Sequence, residues 1–391
     1  MKTDSAIHNH QRAHQQLRYF SENSIQKYSQ QRNFDYGNNH KNCVSGLSMA
    51  INRRIISEWY VIKHILKVHP YEKVEKFVQE VCWRTYWKGY LEHHPSIWND
   101  YIDNIKNLEF LKLNQSYRNA IKGETGIECF DFWMLTLIEK GYLHNHARMW
   151  FSSIWIHTLK LPWQLGANIF LENLIDGDPA SNTLSWRWVA GLHTKGKCYL
   201  ANAENIKKFT GGQFYPVNQL SRYPHLTEEF EKSPPLELKL KGSKSKEIKC
   251  FLVHESDLSR SRIPKSDVLL VQRSPLKSIK KSMLVENFII NALKSFQNDF
   301  TSKHEPEIIL IDLEDDKMIK KTLKRKGISS VHTYYPSIGF INDQLKKIES
   351  EDYNLEFIRT DWDKTFWPHT SKGFFKLKSK IPKLLRQLDC M

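Results

Sequence analysis

Asp176-Gly-Asp-Pro-Ala-Ser-Asn-Thr-Leu-Ser-Trp-Arg-Trp-Val-Ala-Gly191 packs two carboxylates, an amide and two indoles into one short run. Asp176 and Asp178 flank Gly177, and Pro179 and Ala180 follow. This is the grammar of a turn entering a helix, with acids at the positive helix end. The residues alone leave two readings open. Either the acids are plain caps and Trp186 and Trp188 plain core, or the turn aims polar groups at a ligand.

Three stretches upstream carry a similar mixture. Tyr28-x-x-x-Arg32-Asn precedes Val44-Ser-Gly-Leu-Ser48, which opens a helical segment Met49–Ile65. Ser45 and Ser48 then stand where hydroxyls and free backbone N–H groups hold phosphate oxygens, or where they simply cap the helix. In a helix expected over Glu72–Glu92, Glu80, Trp83 and Arg84 fall at i, i+3 and i+4 and share one face. A Glu and an Arg so placed are ordinarily a solvated pair. Beside an indole on an apolar stripe of Phe77, Val81, Trp87 and Leu91, they read as lining a cavity. Asn145, Arg148 and Met149 repeat the spacing after a helix Phe130–Lys140 that stops at Gly141.

Asp-Gly-Asp-x-Ala-x-Asn-x-x-x-Trp-x-Trp-x-Ala-Gly, with Glu80-x-x-Trp-Arg84 and His144-Asn-x-x-Arg-Met149, resembles the flavin-binding core of the photolyase and cryptochrome family. The resemblance implies FAD as cofactor. It implies cofactor contacts from Tyr28, Ser45, Leu47, Ser48, Phe77, Glu80, Arg84, Asn145, Arg148, Asp176, Asp178 and Asn182. Asn182 is placed at the reactive N5 edge of the flavin, and Arg148 is expected to pair with Asp176 to offset its desolvation. Two departures are visible: Val44 stands for the usual threonine at the pyrophosphate end, and Tyr142 for the usual tryptophan before Asn145.

The same resemblance makes Glu80, Trp83, Asn145, Met149 and Trp188 a substrate pocket, an apolar clamp for a planar base with two polar discriminators. Family enzymes of the six-four photoproduct carry histidines where this chain has Asn145 and Met149, so the residues match the cyclobutane-dimer pattern. The implied activity is light-driven splitting of pyrimidine dimers in DNA, a carbon-carbon lyase reaction, with Glu80 and Asn182 in the catalytic set. A cryptochrome-like photoreceptor that binds FAD without repair is the alternative. Trp186 and Trp163 match the inner and middle positions of the family's electron-hopping chain; the outer position falls on Phe110, with Tyr101 or Tyr117 as replacements.

Downstream the periodicity changes. Four prolines at 216, 224, 234 and 235 and the run Lys239–Lys246 mark a linker. Beyond it, β-branched runs at Lys249–His254, Val268–Val271, Glu307–Asp312 and Ser329–Tyr335 alternate with helical stretches at Ser282–Phe296, Asp315–Lys326 and Phe340–Glu349. That alternation predicts a parallel sheet in a βαβ domain. The expected fold is multi-domain: a polar tail over 1–20, an all-α FAD-binding domain over 21–215, a linker over 216–247 and a smaller α/β, Rossmann-like domain over 248–391. Family members normally place the α/β domain first.

The formal charge is +15, of which residues 232–391 contribute +10. A polyanion or anionic surface is the partner such a surplus favours. For DNA phosphates the local candidates are Arg118, Arg187, Lys195 and Lys197. Six cysteines show no Cys-x-x-Cys spacing, so neither a metal site nor a disulfide framework is expected. No apolar run reaches bilayer length, and the chain reads as a soluble cytoplasmic monomer.

Overall fold

The computed structural model describes residues 7–37, 42–194, 196–225, 234–238, 247–300, 306–349 and 353–391. In chain order the first helices are α1 (His10–Asn23), α2 (Ile25–Gln31), α3 (Ser48–Asn52), α4 (Glu58–Val68), α5 (Tyr71–His93) and α6 (Ser96–Asn107). They are followed by α7 (Gln115–Lys122), α8 (Glu128–Lys140), α9 (Asn145–Ser153), α10 (Trp163–Asn173), α11 (Pro179–Val189) and α12 (Ala203–Phe209). The chain then alternates as β1 (Cys250–Val253), β2 (Val268–Gln272), α13 (Met283–Asn298), β3 (Glu307–Ile311), α14 (Asp316–Lys326), β4 (Ser330–Tyr334), α15 (Phe340–Ile348) and β5 (Asn354–Ile358). It closes with α16 (Asp361–Phe366), α17 (Phe374–Lys378) and α18 (Ile381–Gln387).

Two compact units form, each discontinuous in sequence. The first joins Met1–Glu22, Ser45–His93 and Leu236–Met391; the second joins Asn23–Val44 and His94–Pro235. The helices α3 to α5 are therefore grouped with the sheet, a division that a reading along the chain does not produce.

In the first unit the five strands are all parallel, in the order β3-β2-β1-β4-β5. Every residue of β1 and β2 is buried, as central parallel strands covered on both faces require. Leu252 and Leu270 are register partners, and with Ile311, Val331, Leu323 and Leu345 they belong to the core of this sheet. The strand order reverses direction of winding between β1 and β4, the topological switch point where such sheets usually admit a ligand. Here the loop after β1 presents Glu255 and Asp257 to the protein's own arginines. Arg53 pairs with Glu255 at 3.2 Å, and Arg54 with Asp257 at 3.3 Å and with Asp363 at 2.7 Å.

Those arginines explain one difference from the sequence expectation. Instead of one helix over Met49–Ile65, the chain breaks between α3 and α4, with Arg54 in the left-handed region at φ +47°. A continuous helix could not deliver both guanidinium groups to carboxylates 200 residues and more away.

Helix α5 is fastened to the C-terminal helices in the same unit. Trp362 donates to Thr85 Oγ1 at 2.9 Å, and Glu92 accepts from Tyr335 and from the Ile338 backbone at 2.9 Å each. Gly89 is required for this approach, since a Cβ there would lie 2.3 Å from Thr370 Oγ1 and 2.7 Å from Trp367.

The polar N-terminal stretch is not a tail from His10 onward: α1 buries Ala13, Leu17 and Phe20 on one stripe. A fifth strand, β5, and the three terminal helices were not foreseen. The second unit is helical, and in it α9 passes into a π-turn over Ile154–Thr158. Lys195 and Lys239–Lys246 lie outside the described residues. Among the described residues no helix is long and apolar enough to cross a membrane, and no group of three or more His, Cys, Asp or Glu is arranged to hold a metal.

Candidate flavin site

In the second unit the site grows from two turns. Gly141, at φ +62°, ends α8 and brings the chain against Ile175, whose N–H donates to the Gly141 carbonyl at 2.9 Å. A Cβ at Gly141 would meet Ile175 at 2.8 Å, so glycine is needed both for the backbone angle and for the approach. This contact sets Asp176 beside α9. Arg148 Nη2 donates to both oxygens of Asp176 at 3.0 and 2.9 Å, and Nε donates to the Leu143 carbonyl at 2.9 Å.

Burial alone would loosen the proton of Arg148. Asp176 more than reverses this, and the guanidinium is held above its ordinary range. The Tyr142 ring lies 5.3 Å from the same guanidinium, and burial pushes its phenol up to about 12. Arg148 Nη1 makes no hydrogen bond among the described residues, so a charged donor remains for an anionic ligand.

The second turn is the one that opened the sequence. Asp178 caps α11, accepting from the Ser181 N–H at 2.9 Å and from its hydroxyl at 2.5 Å, with Pro179 in the first turn. Asn182, one turn on, is buried; its Nδ2 donates to the Ala167 carbonyl at 2.8 Å, which leaves Oδ1 as an acceptor. A cationic donor at Arg148 and an acceptor at Asn182 suit a planar anionic cofactor with a ring N–H, and the residues present fit FAD.

Behind Asn182, Trp186 is buried edge-to-face against Phe170 at 5.1 Å and Trp155 at 6.4 Å, and its buried indole N–H has no hydrogen-bond partner among the described residues. Gly166 makes room for it: a Cβ there would lie 2.3 Å from the Trp186 ring. Trp163 begins α10 and stacks on Tyr101 at 5.6 Å, with Arg187 5.7 Å from its ring. Phe110 is 66% exposed, and Tyr101 is fully buried with a hydroxyl that has no partner among the described residues. Asn145 is exposed, Met149 is half-buried, and Trp188 stacks on Tyr199 at 5.6 Å. Tyr28 is half-buried in α2. Arg118 and Lys197 are exposed.

The first unit carries the remaining residues. Ser45 Oγ accepts from the Leu47 N–H at 3.3 Å, across Gly46 at φ +68°, and Leu47 is buried. Ser48 begins α3. Glu80, Trp83 and Arg84 share a face of α5, and Arg84 donates to Asn52. Phe77 is buried against Phe20 at 4.9 Å, a core contact. One face of Trp83 is covered by Phe374, stacked at 3.7 Å and 13°, and Tyr86 meets it edge-on at 5.4 Å. Phe374, Asn52, Ala167 and Tyr199 had no signal in the sequence, because each meets its partner through tertiary packing.

With this geometry in hand, comparison with known proteins is informative. Residues 77–223 match the FAD binding domain of DNA photolyase. The match begins at Phe77, so Tyr28, Ser45, Leu47 and Ser48 lie outside it. A deoxyribodipyrimidine photo-lyase of Buchnera aphidicola is 29% identical over 198 residues, which covers 48% of this chain and 39% of that one. One from Streptomyces griseus is 37% identical over 122 residues, covering 31% and 26%. A bacterial class III photolyase structure from Agrobacterium tumefaciens is 27% identical, with a TM-score of 0.44, covering 52% of this chain and 43% of that one. The chain thus spans about two fifths or less of the length of these curated relatives. The segment of residues 77–223, which holds Arg148, Asp176 and Asn182, is thus similar to the FAD-binding domain of the photolyase family.

Proposed function

We propose that this chain is a light-driven DNA-repair flavoprotein that splits cyclobutane pyrimidine dimers. The observation that carries the reading is the pairing of a partly buried Arg148–Asp176 bridge, one guanidinium nitrogen still uncommitted, with Asn182 fixed one turn into α11. Reduced FAD, when bound, supplies the electron that light releases. Arg148 favours the anionic form of the cofactor by direct attraction. Asn182 offers an amide oxygen and no charge, and Asp176 holds Arg148 in place.

The proposed FAD contacts of the second unit are Tyr28, Asn145, Arg148, Asp176, Asp178 and Asn182, and those of the first are Ser45, Leu47, Ser48, Phe77, Glu80 and Arg84. For the dimer, the first unit offers Glu80 as a hydrogen-bonding group and Trp83 as a stacking surface. The second offers Asn145, Met149 and Trp188. Base–aromatic stacking is worth about 1–3 kcal/mol per base, and a dimer is already poorly stacked in its duplex. Trp163 and Trp186 are proposed to resupply electrons. Tyr101, although stacked on Trp163, has no acceptor for its proton among the described residues, so it makes a poor outer donor.

A second reading, a photoreceptor that binds FAD without repair, is favoured by Phe374, which already occupies one face of Trp83. Glu80→Ala separates the two. On the repair reading it lowers dimer-splitting yield per bound flavin by about fivefold or more, the cost of one lost hydrogen bond to a developing charge. Equal yields per bound flavin for wild type and variant would favour the second reading, and loss of flavin with an unchanged yield per bound flavin would leave Glu80 with the cofactor alone.

A further inference from the structure

From Phe366 to Leu388 the chain carries six basic side chains, Lys372, Lys376, Lys378, Lys380, Lys383 and Arg386, and no carboxylate. Helices α17 and α18, which hold most of this stretch, are fixed to the first unit by a buried side of Phe374, Leu377, Ile381, Leu384 and Leu385. Five of the six bases are exposed on the remaining side, Lys378 being half-buried. Among the described residues none of the six is in an ion pair.

Other surface lysines of this chain behave differently. Lys106, Lys112, Lys326 and Lys364 each sit within 3.3 Å of a carboxylate. On α17 and α18 the nearest polar neighbour of Lys380 is itself a nitrogen base, His369 Nδ1 at 3.1 Å. The imidazole is held below its ordinary range by burial and by Lys380 and Lys383. A face of like charges with no internal counterion raises its own energy until an external polyanion neutralises it.

The same face exposes an aromatic ring. Phe375 is 80% exposed between Lys372 and Lys376, while its neighbour Phe374 is buried and stacked on Trp83. A solvated lysine-rich surface has no use for an exposed phenyl ring. A surface that meets a nucleic acid does, because bases and sugars offer flat apolar partners beside their phosphates. The face is also continuous with a residue proposed for the dimer: α17 reaches Trp83 through a single stacked ring.

We infer that the basic face of α17 and α18 is a contact surface for the phosphate backbone of duplex DNA, with Phe375 as its apolar contact. The inference rests on DNA being the partner proposed above, and it places phosphate binding in the part of the chain that carries most of the charge surplus.

The test is fluorescence anisotropy of the full, flavin-loaded chain with a short labelled duplex across a salt series. The variants are Lys376→Gln/Lys380→Gln/Lys383→Gln, Phe375→Ala, and a charge-matched control, Lys106→Gln/Lys112→Gln/Lys326→Gln. Flavin absorbance and thermal melting verify that each variant is folded. Each duplex phosphate contact contributes about 0.9 to the slope of log affinity against log salt. The triple variant is therefore expected to flatten that slope by about 2.7, and the control to leave it unchanged. Phe375→Ala is expected to weaken binding about fivefold or more at fixed salt.

A triple variant with the wild-type slope overturns the inference, as does a wild type that binds vesicles of anionic phospholipid but not duplex DNA. A flattened slope in a protein that leaves dimers intact under light keeps the surface and removes the repair reading. Repair by wild type with an unchanged slope in the triple variant does the opposite.

Discussion

In the unit built on the sheet, Arg54 commits its whole guanidinium to carboxylates, whereas in the helical unit Arg148 commits only part of its own. Around Arg54 stand Asp363 at 2.7 Å, Asp257 at 3.3 Å and Glu58 at 3.5 Å, and its side chain is 6% exposed. Arg148 has one carboxylate, one backbone carbonyl and a side chain that is 23% exposed. An arginine with a carboxylate within 3.5 Å of each of its three nitrogens joins elements. An arginine with a vacant nitrogen and a single acid is equipped to meet something else. Local spacing singled out Arg148 beside Asn145 and Met149 and was silent on Arg54, two of whose carboxylates lie more than 200 residues away.

The comparison can be broken most forcefully at Arg54. Arg54→Met strands three buried carboxylates, and the loss of one member of a buried ionic cluster costs about 3–5 kcal/mol. Denaturant unfolding should show a fall of that size. A loss below about 1 kcal/mol would mean that Arg54 is no structural joint. Arg148→Met should act on the ligand instead. FAD affinity is expected to fall by about 1.5–3 kcal/mol, the worth of a hydrogen bond to a charged group, as read by flavin titration. Unfolding of the flavin-free protein should change less than it does for Arg54→Met, and the reverse ranking would erase the distinction.

A third test probes packing behind the site. Gly166→Ala drives a methyl group into the Trp186 ring, and overpacking of this kind costs about 1–3 kcal/mol. Unchanged stability with an unchanged flavin spectrum would show that Trp186 is free to shift.

A fourth test concerns pH. His193 is pushed down to about 4 by burial, with Arg187 and His94 adding to it. Its imidazole is therefore uncharged in the fold but takes up a proton in the unfolded chain below the ordinary 6.5. Stability is complete above that value and declines as pH falls toward 4, with a slope of at most about 1.4 kcal/mol per pH unit. His193→Gln should flatten the decline in a pH series of unfolding curves, and an unaltered series would assign the decline to other groups.

The sheet was legible where burial was two-sided. Cys250–Val253 and Val268–Val271 are unbroken apolar runs, and runs of this kind name central strands from composition alone. The edge strand β5 escaped because Asn354 and Glu356 interrupt it and only one of its residues is fully buried. Helix α1 escaped because its apolar residues, at 13, 17 and 20, are sparse among polar ones. The break at Arg54 was illegible in principle: its cause is three carboxylates, two of them more than 200 residues away.

For the site, the Asp178 cap followed from local turn and helix grammar, whereas the Arg148–Asp176 bridge, 28 residues apart, followed from the family resemblance. The Phe374 ring on Trp83 did not, because helices α5 and α17 meet only in the folded chain.

The most direct measurement is dimer content in an oligonucleotide carrying one cyclobutane pyrimidine dimer, incubated with the flavin-loaded, reduced protein in blue or near-UV light and in darkness. The account predicts restored pyrimidines in the light and none in the dark. Dimers that persist in both, with flavin demonstrably bound, would contradict it.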